Sequence, residues 1–170
     1  MTVPQTVYLV RHAMPVVDAS LPPRQWRLDG EAMAAASRLR DRLPPVIRLV
    51  ASSETKAQQT GEAIAASRVP VAADAGFDEV DRPADFDPRY RETAAAYLDG
   101  SPKPGWEPRG DVVARFGAAV ARHRGGDGAL VVVTHGLAMS LWAAHIHKRQ
   151  QIADWWARLA FPDVVAVRLP

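Results

Sequence analysis

Two histidines in this chain each follow a predicted buried strand. Residues 6–10 form a short apolar, β-branched run that is followed directly by Arg11 and His12. Residues 129–133 form the most strand-like run of the chain, and His135 comes two residues after it. Arg11 and His12 alone would be interpreted as a polar surface loop. Because the carboxyl ends of parallel strands meet at one edge of a sheet, the second histidine favours a shared crevice.

A third predicted strand end adds a cation to this group. Residues 46–51 read as a strand, Ser52 and Ser53 follow it, and Lys56 lies in the first turn of a helix predicted over 54–67. These residue types fit phosphoryl transfer, because a neutral imidazole is a good nucleophile near neutral pH and the reaction depends on positioned cationic donors. Arg11, Lys56 and a protonated His135 are the candidate donors. The amides of a helix N-terminus also favour an anion.

The elements that must position these residues alternate between strand and helix. Further strands are predicted over 69–73 and 164–169, and further helices over 30–43 (capped by Asp29), 88–98 (capped by Asp87, with Pro88 in the first turn), 111–124, 137–147 and 154–159. Such alternation predicts an α/β fold with a mostly parallel central sheet and helices on both faces. The proline-rich segment 74–111 is predicted to be a small cap insertion in a single domain that spans residues 1–170.

Composition excludes several classes of function. The chain has 170 residues, of which 48% are hydrophobic and 24% are charged, and its formal net charge is only +2. This balance argues against a dedicated nucleic-acid binder. The sequence contains no cysteine, which excludes disulfides and cysteine nucleophiles. Neither a membrane-spanning run nor a secretion signal is recognisable, so we expect a cytoplasmic protein with no membrane partner.

Three motifs of the sequence resemble those of the histidine phosphatase superfamily, the phosphoglycerate-mutase-like phosphatases. They are Tyr-Leu-Val-Arg-His-Ala-Met-Pro at 8–15, Ser-Ser-Glu-Thr-Lys-Ala-Gln-Gln-Thr at 52–60 and Thr-His-Gly at 134–136, and their order and spacing agree with the family over nearly the whole chain. The resemblance implies that His12 is the nucleophile and forms a phosphohistidine, and that Arg11 and His135 hold the phosphate oxygens. Lys56 stands where the family usually has arginine, so the charge is kept and the planar two-pronged grip is lost.

The resemblance also implies a proton donor. Residues 76–81, Gly-Phe-Asp-Glu-Val-Asp, follow the third strand and resemble the family's Leu-x-Glu motif, with Glu79 as the acid. Asp78 and Asp81 are the competing candidates, and a solvated acidic loop is the alternative interpretation. The acid would protonate the leaving oxygen and then activate water against the phosphohistidine.

We therefore predict a cofactor-independent phosphatase that hydrolyses a small phosphorylated metabolite. A mutase is disfavoured, because mutases of the family carry longer insertions and tails. Two alternatives remain: a protein phosphohistidine phosphatase, and a non-catalytic phosphate-binding regulatory module. Arg24 and Arg27, in the loop after the nucleophile, are further candidates for substrate contact. The substrate itself and the oligomeric state have no signal in the sequence.

Other histidines and tryptophans are predicted to be structural. His145 and His147 lie two residues apart on a predicted helix, where their side chains diverge, so no metal site is expected there. His123 is expected to face solvent. We expect three tryptophans to lie in the core: Trp142, Trp155 and Trp156. Trp26 is expected either to line the site or to serve only in packing. The string Asp-Phe-Asp-Pro at 85–88 resembles an aspartate-nucleophile phosphatase motif, but it does not follow an apolar strand.

Overall fold

A five-stranded sheet forms the centre of the protein. A computed structural model describes residues 5–84 and 87–170. Residues 85 and 86 of the Asp-Phe-Asp-Pro string therefore lie outside the described residues. The same holds for residues 1–4, where a secretion signal would begin. The strands are β1 (Thr6–Arg11), β2 (Ile47–Ala51), β3 (Val71–Ala73), β4 (Ala129–Thr134) and β5 (Asp163–Arg168). Their order is β3-β2-β4-β1-β5, and every pair is parallel except β1 and β5. The predicted α/β fold with a mostly parallel sheet is confirmed.

Six α-helices surround the sheet in the described residues. They are α1 (Gly30–Arg38), α2 (Thr55–Ala65), α3 (Tyr90–Leu98), α4 (Arg109–His123), α5 (Gly136–His147) and α6 (Ile152–Ala157). The helix predicted over 30–43 is divided, because a 3₁₀ turn, Leu39–Arg42, takes over after Arg38. The predicted Asp29 cap is present, and its carboxylate accepts from the backbone N–H of Ala32 at 2.8 Å.

The predicted cap of α3 is wrong. Asp87 accepts from the backbone N–H of Arg89 at 2.8 Å and from the Thr93 hydroxyl at 2.9 Å. Hydrogen bonding of an Asp side chain to the backbone two residues on closes a turn, and this turn precedes the helix. The helix therefore begins at Tyr90, and Pro88 lies outside it.

The hydrophobic core is divided between the two faces of the sheet, because the side chains of each strand point alternately to one face and the other. Val7 and Leu9 on β1 belong to a buried cluster with α3, α4, α5 and α6, whereas Val10 belongs to a cluster with α2 and Leu39. Successive strand side chains point to opposite faces, which explains this division. Helix α1 packs against α2 through a smaller cluster that includes Ala36.

The segment 74–111 packs into the main core. Ala94, Tyr97 and Leu98 of α3 are buried in the same cluster as Val7 and Leu9 of the sheet. We therefore propose that the chain is one domain and that this segment is a cap built onto it. Among the helices described, none is long and apolar enough to cross a membrane.

Candidate active site

The two predicted histidines meet at the carboxyl edge of the sheet. The backbone N–H of His12 donates to the carbonyl of Thr134 at 3.0 Å, so the chain leaves β1 beside the end of β4. The backbone N–H of Ser52 donates to the carbonyl of Val133 at 2.8 Å on the other side of β4. The rings of His12 and His135 consequently lie with their centroids 5.0 Å apart. The predicted convergence of the two imidazoles is confirmed.

A cavity of about 630 Å³ surrounds this pair. The residues predicted for the site all line it, as do the two competing acids: Arg11, His12, Lys56, Asp78, Glu79, Asp81 and His135. Arg24 and Trp26 also line the cavity, whereas Arg27 is exposed and is not among the lining residues. The structure thus places the three motifs and the acidic segment around one space.

His12 is held as a neutral imidazole. Its Nδ1 lies 2.7 Å from the carbonyl oxygen of Ala13. Because a carbonyl only accepts, Nδ1 carries the proton and Nε2 keeps its lone pair. Burial lowers the pKa of His12 well below its usual value, and the neighbouring His135 and Lys56 lower it further. The imidazole is therefore available for attack at neutral pH.

His135 is part of a hydrogen-bond chain that fixes its tautomer. The hydroxyl of Ser52 donates to Oδ1 of Asp78 at 2.8 Å, since a carboxylate only accepts. Nε2 of His135, 2.8 Å from the same hydroxyl, must then be the donor in that contact. Burial and then Lys56 hold the pKa of His135 well below its usual value. The lowered pKa favours a neutral His135 over the protonated one expected from the sequence.

Arg11 supplies the charge that His135 does not. Its side chain donates to the carbonyl of Leu159 at 2.8 Å, and its guanidinium lies over the Phe161 ring, 3.4 Å from the centroid. Burial lowers the pKa of Arg11 to about 10, so the group stays protonated at neutral pH. Within the described part of the chain, its Nε is buried and has no hydrogen-bond partner.

Lys56 lies beside the carboxylate of Glu54, which no motif in the sequence marks as part of the site. Its Nζ donates to the carbonyl of Pro23 at 2.9 Å and forms an ion pair with the carboxylate of Glu54. Side chains two residues apart do not meet within a helix, so the spacing gives no signal for this pair. Glu54 precedes α2 in extended backbone, with φ −77° and ψ 140°, which lets its side chain reach Lys56.

Glu79 is half-buried against the N-terminus of α5. Its carboxylate accepts from the backbone N–H groups of Ala138 at 2.9 Å and Leu137 at 3.2 Å. Burial raises the pKa of Glu79 above its usual value, the backbone donors oppose the shift, and nearby Glu54 adds to it. The alternative of a solvated acidic loop is wrong for Glu79.

The competing acid Asp78 is occupied by structural contacts. Its Oδ1 accepts from the hydroxyl of Ser52 at 2.8 Å and from the backbone N–H of Ser53 at 2.7 Å, and its Oδ2 lies 3.4 Å from Arg24. These bonds hold the loop that follows β2. Asp78 is therefore engaged by that loop, whereas Asp81 lies at the exposed margin of the cavity.

Arg115 holds the backbone of the acidic segment, although no motif in the sequence marks it. Its guanidinium donates to the carbonyls of Gly76 and Asp78, each at 2.9 Å, and of Glu79 at 3.1 Å. Its remaining donors bind both carboxylate oxygens of Glu107, at 2.7 and 2.9 Å. All five N–H donors of the side chain are thus in use.

Trp142 and Trp156 are core residues as predicted. Trp156 also lines the cavity, and its Nε1 has no hydrogen-bond partner among the residues described. A Cβ on Gly136 would lie 2.8 Å from that nitrogen, so only glycine fits beside it. The expectation that His123 faces solvent is wrong, because its Nε2 bonds to Asp74 at 2.9 Å where α4 ends against the 3₁₀ turn at 75–77.

His145 and His147 are exposed on α5, the predicted helix. Across residues 5–84 and 87–170, no group of three His, Asp or Glu side chains is placed to hold a metal ion. The arrangement instead brings two imidazoles, the buried cations Arg11 and Lys56 and the half-buried carboxyl group of Glu79 into one cavity.

Known proteins resemble this chain in sequence pattern and in fold. The family model described as the histidine phosphatase superfamily (branch 1) matches residues 7–167. A search of curated proteins finds no match. Among solved structures, mycobacterial glucosyl-3-phosphoglycerate phosphatase aligns with a TM-score of 0.65 and 22% identity, over 92% of this chain and 84% of that one. The protein TTHB049 from Thermus thermophilus aligns with a TM-score of 0.66 and 22% identity, over 98% of this chain and 99% of that one.

These structural likenesses, at about a fifth identity, establish the fold. The family model covers nearly the whole chain, including all three motifs and the acidic segment. The chain therefore belongs to the histidine phosphatase superfamily, branch 1.

Proposed function

We propose that this protein is a phosphatase that hydrolyses a phosphomonoester through a covalent phosphohistidine at His12. The observation that carries the proposal is the state of His12, whose proton is fixed on Nδ1 while Nε2 is free in a cavity lined by buried cations. A buried imidazole with a lowered pKa stays unprotonated, which a nucleophile requires.

The proposed first step transfers the phosphoryl group to the enzyme. Nε2 of His12 attacks phosphorus, the bond between phosphorus and the leaving oxygen breaks, and Glu79 gives that oxygen a proton. In the second step water attacks phosphorus, Glu79 takes a proton from it, and the bond to Nε2 breaks to release inorganic phosphate. The raised pKa of Glu79 suits the acid role, because it keeps the carboxyl group protonated at higher pH.

Buried donors support the binding of the phosphoryl oxygens. Arg11 and Lys56 bring positive charge, and Nε of Arg11 and Nε1 of Trp156 are donors without a partner in the described chain. Unsatisfied buried donors are uncommon in folded proteins, and an anion would satisfy them. This set of groups needs no cofactor or metal in the proposed reaction.

The cavity supports a small phosphorylated metabolite as substrate. Its volume of about 630 Å³ is in the range of small-molecule sites. The cap contributes Val80, Arg82, Ala84 and Tyr90 to its wall, and Arg24 lies on the opposite loop. We propose that these residues contact the leaving group, in a cytoplasmic enzyme that acts without a nucleic-acid or membrane partner.

One observation favours a second function, a phosphate-binding module without turnover. Lys56 is already paired with Glu54, which reduces the positive charge available to a phosphoryl group. Turnover and trapping of the intermediate distinguish the two functions.

The test is hydrolysis of p-nitrophenyl phosphate combined with rapid quench of a labelled substrate. Wild-type protein should release nitrophenol and carry base-stable, acid-labile phosphate, and His12→Ala should do neither. His145→Ala is the matched control, because His145 is exposed on α5, and it should behave as wild type. Phosphate binding without turnover in the wild type would favour the binding module, and full activity of His12→Ala would refute the mechanism.

A further inference from the structure

Glu54 places a buried negative charge in the proposed phosphate site. Its side chain is only 10% exposed, lines the cavity, and pairs with Lys56. Its Oε1 lies 3.8 Å from Nε2 of His135 and accepts from the backbone N–H of Glu79 at 3.1 Å. A carboxylate that is this close to the cation and to a proposed phosphate ligand must repel a bound anion.

The charges of the site do not balance a phosphoryl dianion. Arg11 and Lys56 contribute two positive charges, and Glu54 removes one of them. His12 and His135 are neutral because they are buried. Of the other cations on the cavity wall, Arg115 is held by both carboxylate oxygens of Glu107, Arg24 lies 3.4 Å from Asp78, and Arg82 lies over the Tyr90 ring. Arg11, Lys56 and Glu54 together therefore offer one net positive charge to a ligand that carries two negative charges.

We propose that Glu54 is a specificity-determining residue that selects against free dianions at this site. The inference rests on the proposed function, for which inorganic phosphate is the product. A substrate also gains binding from contacts with its leaving group, whereas the released phosphate does not. Repulsion by Glu54 consequently weakens product retention, and substrate binding is maintained by the rest of the cavity.

A positioning role for Glu54 predicts the opposite effect. If the carboxylate only held Lys56 in place, removing it would weaken anion binding. Glu54→Gln separates the two roles, because it removes the charge and keeps the shape of the side chain. Its single amide oxygen can accept from Lys56 or from the backbone N–H of Glu79, which bind different oxygens of the carboxylate, so one acceptor is kept and one is lost.

The experiment measures binding of sulfate and perchlorate by calorimetry at constant ionic strength. Both anions are tetrahedral, and they differ by one unit of charge. The two proteins compared both carry Glu79→Gln, so that ionisation of the half-buried Glu79 carboxyl group does not affect the comparison. Glu54→Gln should strengthen the binding of perchlorate about tenfold and that of sulfate about a hundredfold, because the repulsion grows with the charge of the ligand. Glu62→Gln, an exposed acid on α2, is the matched control and should change neither affinity.

The charge dependence decides the outcome. Unchanged or weaker binding of sulfate, or an equal gain for both anions, would overturn the proposal. Glu54→Met, of similar length and also uncharged, provides the same comparison if the glutamine variant does not fold. Anion binding is measured without turnover, so an inactive wild-type protein would refute the proposed function and leave this result to stand or fall separately.

Discussion

Replacement of Arg115 by lysine should destabilise the protein and misplace the proposed acid. The guanidinium uses five donors on the backbone of residues 76–79 and on Glu107, and lysine has only three donors with no planar fork. At least two bonds are lost. The acceptors are half-buried, so each group left unsatisfied should cost about 1–2 kcal/mol, the lower part of the range for buried groups. The variant should therefore lose about 2–4 kcal/mol of unfolding free energy.

Thermal unfolding measures the first part of this prediction. For a domain of this size, about 2–4 kcal/mol corresponds to a fall in Tm of about 5–15 °C. Arg122→Lys is the matched control on the same helix, because Arg122 pairs with Asp74 but its side chain is 56% exposed. An exposed ion pair is worth less than about 1 kcal/mol, so the control should change Tm by only a few degrees.

Kinetics on two leaving groups measures the second part. The carbonyl of Glu79 is one of the acceptors of Arg115, so the variant should lose more rate on an alkyl phosphate than on p-nitrophenyl phosphate. An alkoxide needs a proton as it leaves, and nitrophenolate does not. A Tm loss no larger than that of Arg122→Lys, or equal rate losses on both substrates, would refute the reasoning.

Three further predictions concern the other buried groups of the site. Glu79→Gln should hydrolyse alkyl phosphates about a hundred- to ten-thousandfold more slowly, with a much smaller loss of rate on p-nitrophenyl phosphate. A burst of nitrophenol should appear if dephosphorylation becomes the slow step. The same pattern in Asp81→Asn alone would assign the acid to Asp81. Lys56→Ala should weaken inhibition by inorganic phosphate about ten- to a hundredfold, since a charge-assisted bond is worth about 1.5–3 kcal/mol, and unchanged inhibition would place Lys56 outside the phosphate site. The pKa of His135 is lowered in the folded state, so below about pH 6.5 the unfolded chain binds more protons than the folded one. The free energy of unfolding should therefore fall as the pH is lowered, and His135 should account for up to about 1.4 kcal/mol of that fall per pH unit. Urea unfolding at several pH values should show a flatter acid limb for His135→Asn than for the wild type, and identical limbs would contradict the assignment.

Local sequence was sufficient to predict the main strands and helices and the site residues that follow the strands. The β-branched runs that precede His12 and His135 predict buried strands from a few neighbouring residues, and parallel pairing then brings their carboxyl ends together. The motifs could be located for the same reason, because each is contiguous. Element boundaries were less certain. The turn made by the Asp87 side chain competes with helix formation at the start of α3, and a local pattern does not decide between them.

The charges and the remaining walls of the site depend on tertiary structure. Glu54 and Lys56 meet because residue 54 is extended and the carbonyl of Pro23 holds the ammonium from another loop. Trp156 reaches the cavity because α6 packs beside Gly136, and hydrophobicity alone assigns it to the core. The neutral states of His12 and His135 follow from burial, which is a property of the closed fold. Sequence thus determined which groups stand at the strand ends, whereas packing between distant segments decided which of them are charged, paired or free, because desolvation and ion pairing depend on neighbours that are far apart in the chain.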